Sequence, residues 1–551
     1  MHQPHRTDAP LPSAAHASQS APDRRAARWL VAGGIALLYC AAVTPRWNVS
    51  PDSALYLLLG QNLAAGQGYT LFGEPHAFVP PGYPLLVAAQ IKLGLGSLLA
   101  QNLAMAILSL ATFVAIYLWL RGEVGSQLAL VATGVVAVSS ATFRTATLLL
   151  SDVPFWLLVV AGLALCQHGL TGAVARPSRR PLWLVAGLAL LTASCWFRVV
   201  GLPLALSAAA GVAVSRALLP RRQVIAAAAV GLALTLATMG AFWARYQAVQ
   251  GPLPQETYAQ ELSRFGVHDR GPLAWLADPL WNLGETGREL AVLFAGQKLP
   301  PLVALALLWL PIAVGMTLEA HRGRLLGVAV TIGYIGAILL LRPLLSRYLL
   351  PVAPLLVIYF ALGLAWLVEC RPRWKARGQT VAMVVLCAMA VLQLPRDFKS
   401  LARLHDPSFP PERHDLVVAA AALGEYVRPG EAFLGGPETT LSYLSGGIPF
   451  RNLYGRLGWT KPTADEVLAL VDQQGIGVLV FSEGDVLKPY EQVLRELVEY
   501  GPQFEPVIEN DRFAVYRRTD RLEPTSRIDS GRRAARLLPI DLAPVDLVPI
   551  D

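Results

Sequence analysis

Eleven mainly apolar stretches recur along the chain, at 28–44, 98–120, 126–141, 152–170, 182–197, 199–215, 223–244, 300–318, 325–341, 348–369 and 379–395. Each approaches the length of about 20 residues that a helix needs to cross the hydrocarbon core of a bilayer. No water is available there to backbone N–H and C=O groups, so segments of this kind can be accommodated only as helices. The fold class that follows is a polytopic α-helical membrane protein with about eleven transmembrane helices.

Composition agrees: 54% of the 551 residues are hydrophobic and 15% charged, and the mean hydropathy is +0.46. Soluble domains carry fewer apolar and more charged residues. The net charge of +8 does not mark a nucleic-acid partner, because the basic residues sit in short loops between apolar runs, where they act as topology signals. Cys40, Cys166, Cys195, Cys370 and Cys387 all lie in or at the ends of apolar segments, a pattern of neither a disulfide framework nor a zinc site.

Sorting basic residues by alternate loops gives the orientation. One side holds Arg24, Arg25 and Arg28, then Arg121, then Arg176, Arg179 and Arg180, then Arg216, Arg221 and Arg222, then Arg322 and Arg324, and finally Arg371, Arg373, Lys375 and Arg377. The short loops opposite hold Arg144, Arg198, Arg342 and Arg347. The positive-inside rule puts the N-terminus in the cytoplasm, and an odd number of spans puts the C-terminus outside. Residues 1–27 are then a disordered cytoplasmic tail rather than a removable signal. The 28–395 domain carries two periplasmic loops, at 45–97 and 245–299, and within the first of them 85–97 reads as a helix along the interface. All the large polar pieces share one face of a bacterial inner membrane, unlike the distribution that inverted repeats of a transporter would give.

Beyond residue 395 the pattern changes. Helical spacing is read at Asp415–Val427, Ala464–Gln474 and Tyr490–Tyr500, strands at Ala432–Gly435 and Gly477–Phe481, and a hairpin over Phe504–Arg517 turning at Asn510 and Asp511. Residues 396–519 are therefore a small α/β domain, assigned to support or acceptor recognition, and 520–551 a disordered tail.

Ionisable residues at the membrane surface are the candidates for chemistry. Asp52 lies just outside the first apolar stretch, in Pro-Arg-Trp-Asn-Val-Ser-Pro-Asp-Ser-Ala-Leu-Tyr (Pro45–Tyr56), and shares a helical face with Tyr56 and Leu59. A carboxylate there can act as a base on a substrate at the membrane surface, or cap the helix that follows. Asp152, in Leu-Leu-Ser-Asp-Val-Pro-Phe (Leu149–Phe155), enters the bilayer from the same face, with the same two readings. Among the outer-face arginines, Arg198 and Arg347 are assigned to an anionic ligand, since guanidinium binds phosphate through two parallel donors. Arg144 and Arg342 are assigned to lipid headgroups. Tyr56, Tyr69 and Tyr83 are candidate faces for stacking on a sugar, Tyr348 is a candidate for substrate binding, and His76, with Glu74 near it, is a further candidate or a plain loop residue.

At these residues the sequence resembles the GT-C superfamily of polytopic glycosyltransferases, in the branch holding protein O-mannosyltransferases and aminoarabinose-type lipid A transferases. The resemblance covers 28–395. It rests on Asp52 with Tyr56 four residues on, Gly-Gln-Gly-Tyr (Gly66–Tyr69), Pro-Pro-Gly-Tyr-Pro (Pro80–Pro84), Ser-Asp-Val-Pro-Phe (Ser151–Phe155), Phe-Arg-Val-Val-Gly-Leu (Phe197–Leu202) and Arg-Tyr-Leu-Leu-Pro (Arg347–Pro351), in that order.

The resemblance implies inverting transfer of a hexosyl or pentosyl unit from a polyprenyl-phosphate donor to a periplasmic lipid, glycan or protein acceptor, with Asp52 as base. Two departures bear on it. Ser53 stands where many relatives have a second acid, so a divalent metal site is possible but not indicated, and no cofactor is assigned. Val79 stands where a basic residue often precedes the proline pair, which leaves phosphate to Arg198 and Arg347. A flippase or transporter, or a polymerase or ligase of lipid-linked glycans, is the alternative.

Overall fold

The computed structural model describes residues 21–77, 79–171, 177–215, 217–249, 274–340, 345–374, 376–406, 412–451, 462–482, 489–500, 503–509 and 513–519. Arg342, the 250–273 part of the long loop, the Asn510–Asp511 turn, residues 1–20 and the 520–551 tail lie outside them.

The membrane half is built of helices α1 (Ala21–Ala41), α2 (Pro51–Ala64), α3 (Gly82–Lys92), α4 (Leu98–Val124), α5 (Ser126–Ala137), α6 (Ser140–Ala146), α7 (Asp152–Thr171), α8 (Arg180–Ser194), α9 (Gly201–Val214) and α10 (Arg221–Ala248). A two-stranded hairpin, β1 (Thr70–Leu71) and β2 (Glu74–Pro75), joins α2 to α3. Then follow α11 (Ala274–Ala295), α12 (Pro301–His321), α13 (Leu325–Ile338), α14 (Ala353–Glu369) and α15 (Gly378–His405). A 3₁₀ segment, Ser346–Val352, runs directly into α14.

Among the described residues, six helices are long and apolar enough to cross a membrane: α4, α7, α10, α12, α15, and α14 taken with its 3₁₀ lead-in. Helices α5 and α6, bent by 61°, make a seventh if counted as one span. The other expected spans coincide with helices that are apolar but short: Arg28–Ala41 within α1, α8, α9 and α13. Length and composition thus support six or seven crossings where the sequence pattern predicts eleven. The helix α1 also begins at Ala21 rather than at 28.

Glycines set the closest helix contacts. A Cβ on Gly315 of α12 would come 1.9 Å from the Tyr359 carbonyl oxygen of α14, and one on Gly363 would come 1.8 Å from that of Pro311. Small residues allow such backbone approach, the main packing device where lipid is as apolar as the side chains. Upstream of Pro311, α12 relaxes into a π-helical turn at Leu305–Trp309, a usual accommodation for an interrupted hydrogen-bond ladder.

The C-terminal domain comprises α16 (Glu412–Tyr426), β3 (Ala432–Leu434), α17 (Glu438–Leu444), α18 (Ala464–Gln473), β4 (Ile476–Ser482), α19 (Pro489–Tyr500), β5 (Phe504–Glu509) and β6 (Phe513–Arg518). Its sheet has the order β3-β4-β6-β5, with β3 and β4 parallel and the other pairs antiparallel. Strand residues alternate between faces: Leu479 and Phe481 pack with Val467, Val471 and Leu494, while Val478 and Val480 pack with Leu423, Leu441 and Val515. Burial on both faces explains why β4 reads as an unbroken apolar run. Each strand and helix predicted here is present, and α17 is an addition.

Candidate active site

Two acid–arginine pairs lie side by side at the start of the α2 and α7 helices. Asp52 stands in the first turn of α2, behind Pro51, and accepts from Arg347 Nη2 through Oδ2 at 2.9 Å. Asp152 opens α7 and accepts from Arg198 Nη1 at 2.5 Å. Asp52 is not the cap of its helix: the N-cap of α2 is Ser50, which makes no side-chain cap bond.

The pairs differ in access. The Asp52 side chain is 48% exposed and Arg347 20%, whereas Asp152 is 5% exposed and Arg198 17%. Of these two acids, Asp52 is the one open to solvent.

Tyr348 links the pairs. Its ring lies 5.3 Å from the Arg198 guanidinium and 5.6 Å from that of Arg347, within range of a cation–π contact with each. The Tyr348 carbonyl accepts from the hydroxyl of Tyr334 at 2.8 Å, which fixes the 3₁₀ segment from behind. Arg198 comes from the turn between α8 and α9, where Gly201 N–H donates to the Arg198 carbonyl at 2.9 Å.

The motif around Gly82 brings Tyr83 to the same place. Gly82 N–H donates to the Trp196 carbonyl at 2.7 Å, and a Cβ there would come 2.5 Å from that oxygen, so only glycine allows α3 to dock beside the Arg198 turn. Tyr83 then meets Tyr56 edge-on, ring centroids 5.1 Å apart. Tyr56 in turn shares a 2.9 Å hydrogen bond with Ser151, next to Asp152. Burial above all pushes the Tyr56 hydroxyl up to about 12, so it serves as a neutral hydrogen-bonding group at neutral pH. Asp52, Asp152, Tyr56, Tyr83, Arg198, Arg347 and Tyr348 are thereby one constellation.

Tyr69 and His76 form a second cluster on the hairpin. Gly66 and Gly68 both have φ near +78°, at 78° and 77°, a conformation that favours glycine and turns the chain back after α2. Tyr69 donates to the Val79 carbonyl at 2.9 Å and packs edge-on against His76, at 5.8 Å. The His76 ring accepts from Val79 N–H through Nε2 at 3.4 Å, so it shapes its own loop. Burial, then the neighbouring Arg245, lowers His76 to about 4. Glu74 is exposed on β2 and Arg144 exposed on α6.

Arg245, at the end of α10, is the residue that the motifs do not reveal. Its guanidinium lies 4.3 Å from the Tyr69 ring centroid and donates to the His76 carbonyl, placing a cation beside Val79. The tally of outer-face cations in short loops passes over it because a long connection follows. Arg198 and Arg347, expected at a lipid phosphate, are each engaged with a carboxylate. Among the described residues no three His, Cys, Asp or Glu side chains converge as metal ligands.

No protein-family profile and no curated protein matches the sequence. Solved structures do match by fold. ArnT from Cupriavidus metallidurans, bound to undecaprenyl phosphate, aligns with a TM-score of 0.58 at 15% identity, covering 90% of this chain and 98% of that one. The oligosaccharyltransferase of Archaeoglobus fulgidus, in its apo form, aligns with a TM-score of 0.52 at 12% identity over 83% of this chain and 69% of its own. Both are GT-C superfamily membrane glycosyltransferases, and this chain has their fold.

Proposed function

We propose that the protein is an inverting membrane glycosyltransferase that moves a sugar from a polyprenyl-phosphate donor to an acceptor on the extracytoplasmic face. The single observation that carries this reading is the open Asp52–Arg347 pair beside the closed Asp152–Arg198 pair, on a fold shared with GT-C transferases. A base and cations for a leaving phosphate are thereby adjacent, as a single displacement requires.

In this mechanism Asp52 takes the proton of the acceptor hydroxyl as its oxygen attacks C1 of the sugar. The bond from C1 to the phosphate oxygen breaks with inversion, and the polyprenyl phosphate leaves carrying the electron pair. Arg347 faces that phosphate; its Nε has no hydrogen-bond partner among the described residues. Asp152 holds Arg198 as the second cation, and the Tyr348 ring lies within cation–π range of both guanidinium groups. Charge placed where the leaving group develops it is an efficient form of transition-state stabilisation. Arg245, beside Val79, supplies positive charge to the hairpin side. Each step uses side chains of the chain itself.

The eleven-span topology, with the N-terminus in the cytoplasm and the C-terminal domain outside, belongs to the same proposal. Support comes from the basic-residue count and from α17 of the C-terminal domain packing on α2. The test is direct: purified protein in lipid nanodiscs is given a panel of polyprenyl-phosphate hexoses and pentoses with lipid, glycan and peptide acceptors. Release of polyprenyl phosphate coupled to one glycosylated product supports the reading. Movement of intact donor across vesicle membranes without product would support the flippase instead, and products of many lengths a polymerase.

A further inference from the structure

The α2 helix that carries Asp52 has no cap of its own at its N-terminus, yet the base at its second position must be held to a fraction of an ångström to act. The hold comes from the C-terminal domain. Thr439 Oγ1, on α17, donates to the Pro51 carbonyl at 3.0 Å. Tyr443, one turn on, meets Trp47 edge-on with ring centroids 4.8 Å apart. The Trp47 indole donates to Ser53 Oγ at 2.9 Å, and Ser53 Oγ donates to the Ser50 carbonyl at 2.7 Å. Both residues flanking Asp52 in the chain are therefore gripped, Pro51 directly and Ser53 through Trp47.

The grip is backed by the domain's own core. Trp47, Ser53 and Tyr443 are all buried. Before α17 the chain turns at Gly435 and Gly436, whose φ values are +99° and +63°. A Cβ on Gly435 would come 2.1 Å from the Val480 carbonyl of β4, so the turn seats α17 directly on the central strand. A second contact, Phe72 of the hairpin against Phe450 at 5.2 Å, ties the domain to the other side of the same loop. Ser53 takes a role here that an acid would not fill, since its hydroxyl both accepts from the indole and donates to the backbone.

We propose that α17 is the positioning element for Asp52, with Thr439 and Tyr443 as positioning residues, so that the C-terminal domain sets the turnover rate of the membrane half. The inference rests on the transferase reading above for its consequence, though not for the contact itself. It predicts that loosening α17 lowers kcat and leaves the donor KM in place, because the arginines that would meet the donor belong to other elements.

The experiment uses the full chain in nanodiscs with Thr439→Val, Tyr443→Leu and the double variant. Amide hydrogen exchange over 50–56 is expected to quicken about tenfold in the double variant, with kcat down about 10- to 100-fold, donor KM within about twofold of wild type, and exchange in α4 and α7 unchanged. Thr439→Ser and Tyr443→Phe, which keep the hydroxyl donor and the ring, recover the loss. Unchanged exchange over 50–56 would overturn the proposal, as would faster exchange with an unaltered kcat. If the wild type transfers no sugar, the transferase reading fails, and the exchange data alone decide whether α17 holds this turn.

Discussion

The two acid–arginine pairs are built from the same chemistry and differ in how open they are. Asp52–Arg347 joins residues 295 positions apart and leaves the acid nearly half exposed, while Asp152–Arg198 joins residues 46 apart and closes its acid away at 5% exposure. An open carboxylate can exchange a proton with a substrate; a closed one can only hold its partner. On the proposed function, burial rather than residue type would divide the reacting acid from the supporting one.

Stability separates the pairs most sharply. Asp152→Ala is expected to cost about 3–5 kcal/mol, the usual effect of removing one partner of a buried pair, and to lower the thermal midpoint in nanodiscs by several degrees. Asp52→Ala is expected to change stability by no more than about 1 kcal/mol, as for exposed pairs. Equal shifts for the two would erase the distinction between them.

A smaller effect probes the arginines. Arg347→Lys keeps the charge and loses the planar fork, so turnover should fall about tenfold, or about 1.4 kcal/mol, measured as initial rates of polyprenyl phosphate release. Tyr348→Leu removes the ring that both guanidinium groups approach. A loss of about 1 kcal/mol from cation–π contact should appear as a fall in rate of several-fold with both acids intact. A rate equal to wild type would show that the ring merely fills space.

The smallest effect belongs to the hairpin. His76 is lowered in the folded protein to about 4 from an ordinary value of 6.5, so between these values the unfolded chain binds the extra proton and stability falls as the pH drops. Melting at pH 4.5 and 7.5 should show a smaller acid-side loss in His76→Gln than in wild type. An identical loss would place the acid sensitivity elsewhere.

Much of this arrangement can be read from sequence, and the remainder fails for physical reasons. β4 is legible because burial on both faces leaves seven residues without a charge. Asp52, Asp152, Arg198 and Arg347 stand out singly as charges next to apolar runs, but their pairing depends on how α2, α7, the α8–α9 turn and the 3₁₀ segment meet. Nothing in the local pattern carries that. The α17 helix, seven residues long, is too short for a periodic signal, and its importance arises only on contact with Pro51. Helices α8, α9 and α13 are apolar enough to read as spans, yet turns within Cys195–Val200 and at Arg322 and Gly323 end or start them early. Arg245 escapes notice because its partners, Tyr69 and His76, belong to a hairpin far away in the chain.

The central claim is that Asp52 is the base of a single displacement, and the rate of sugar transfer by Asp52→Asn tests it most directly. The amide keeps the size of the carboxylate and cannot take a proton, so kcat should fall by about 10²- to 10⁴-fold while membrane insertion and the melting midpoint stay near wild type. Transfer at the wild-type rate by correctly inserted Asp52→Asn protein would contradict the account.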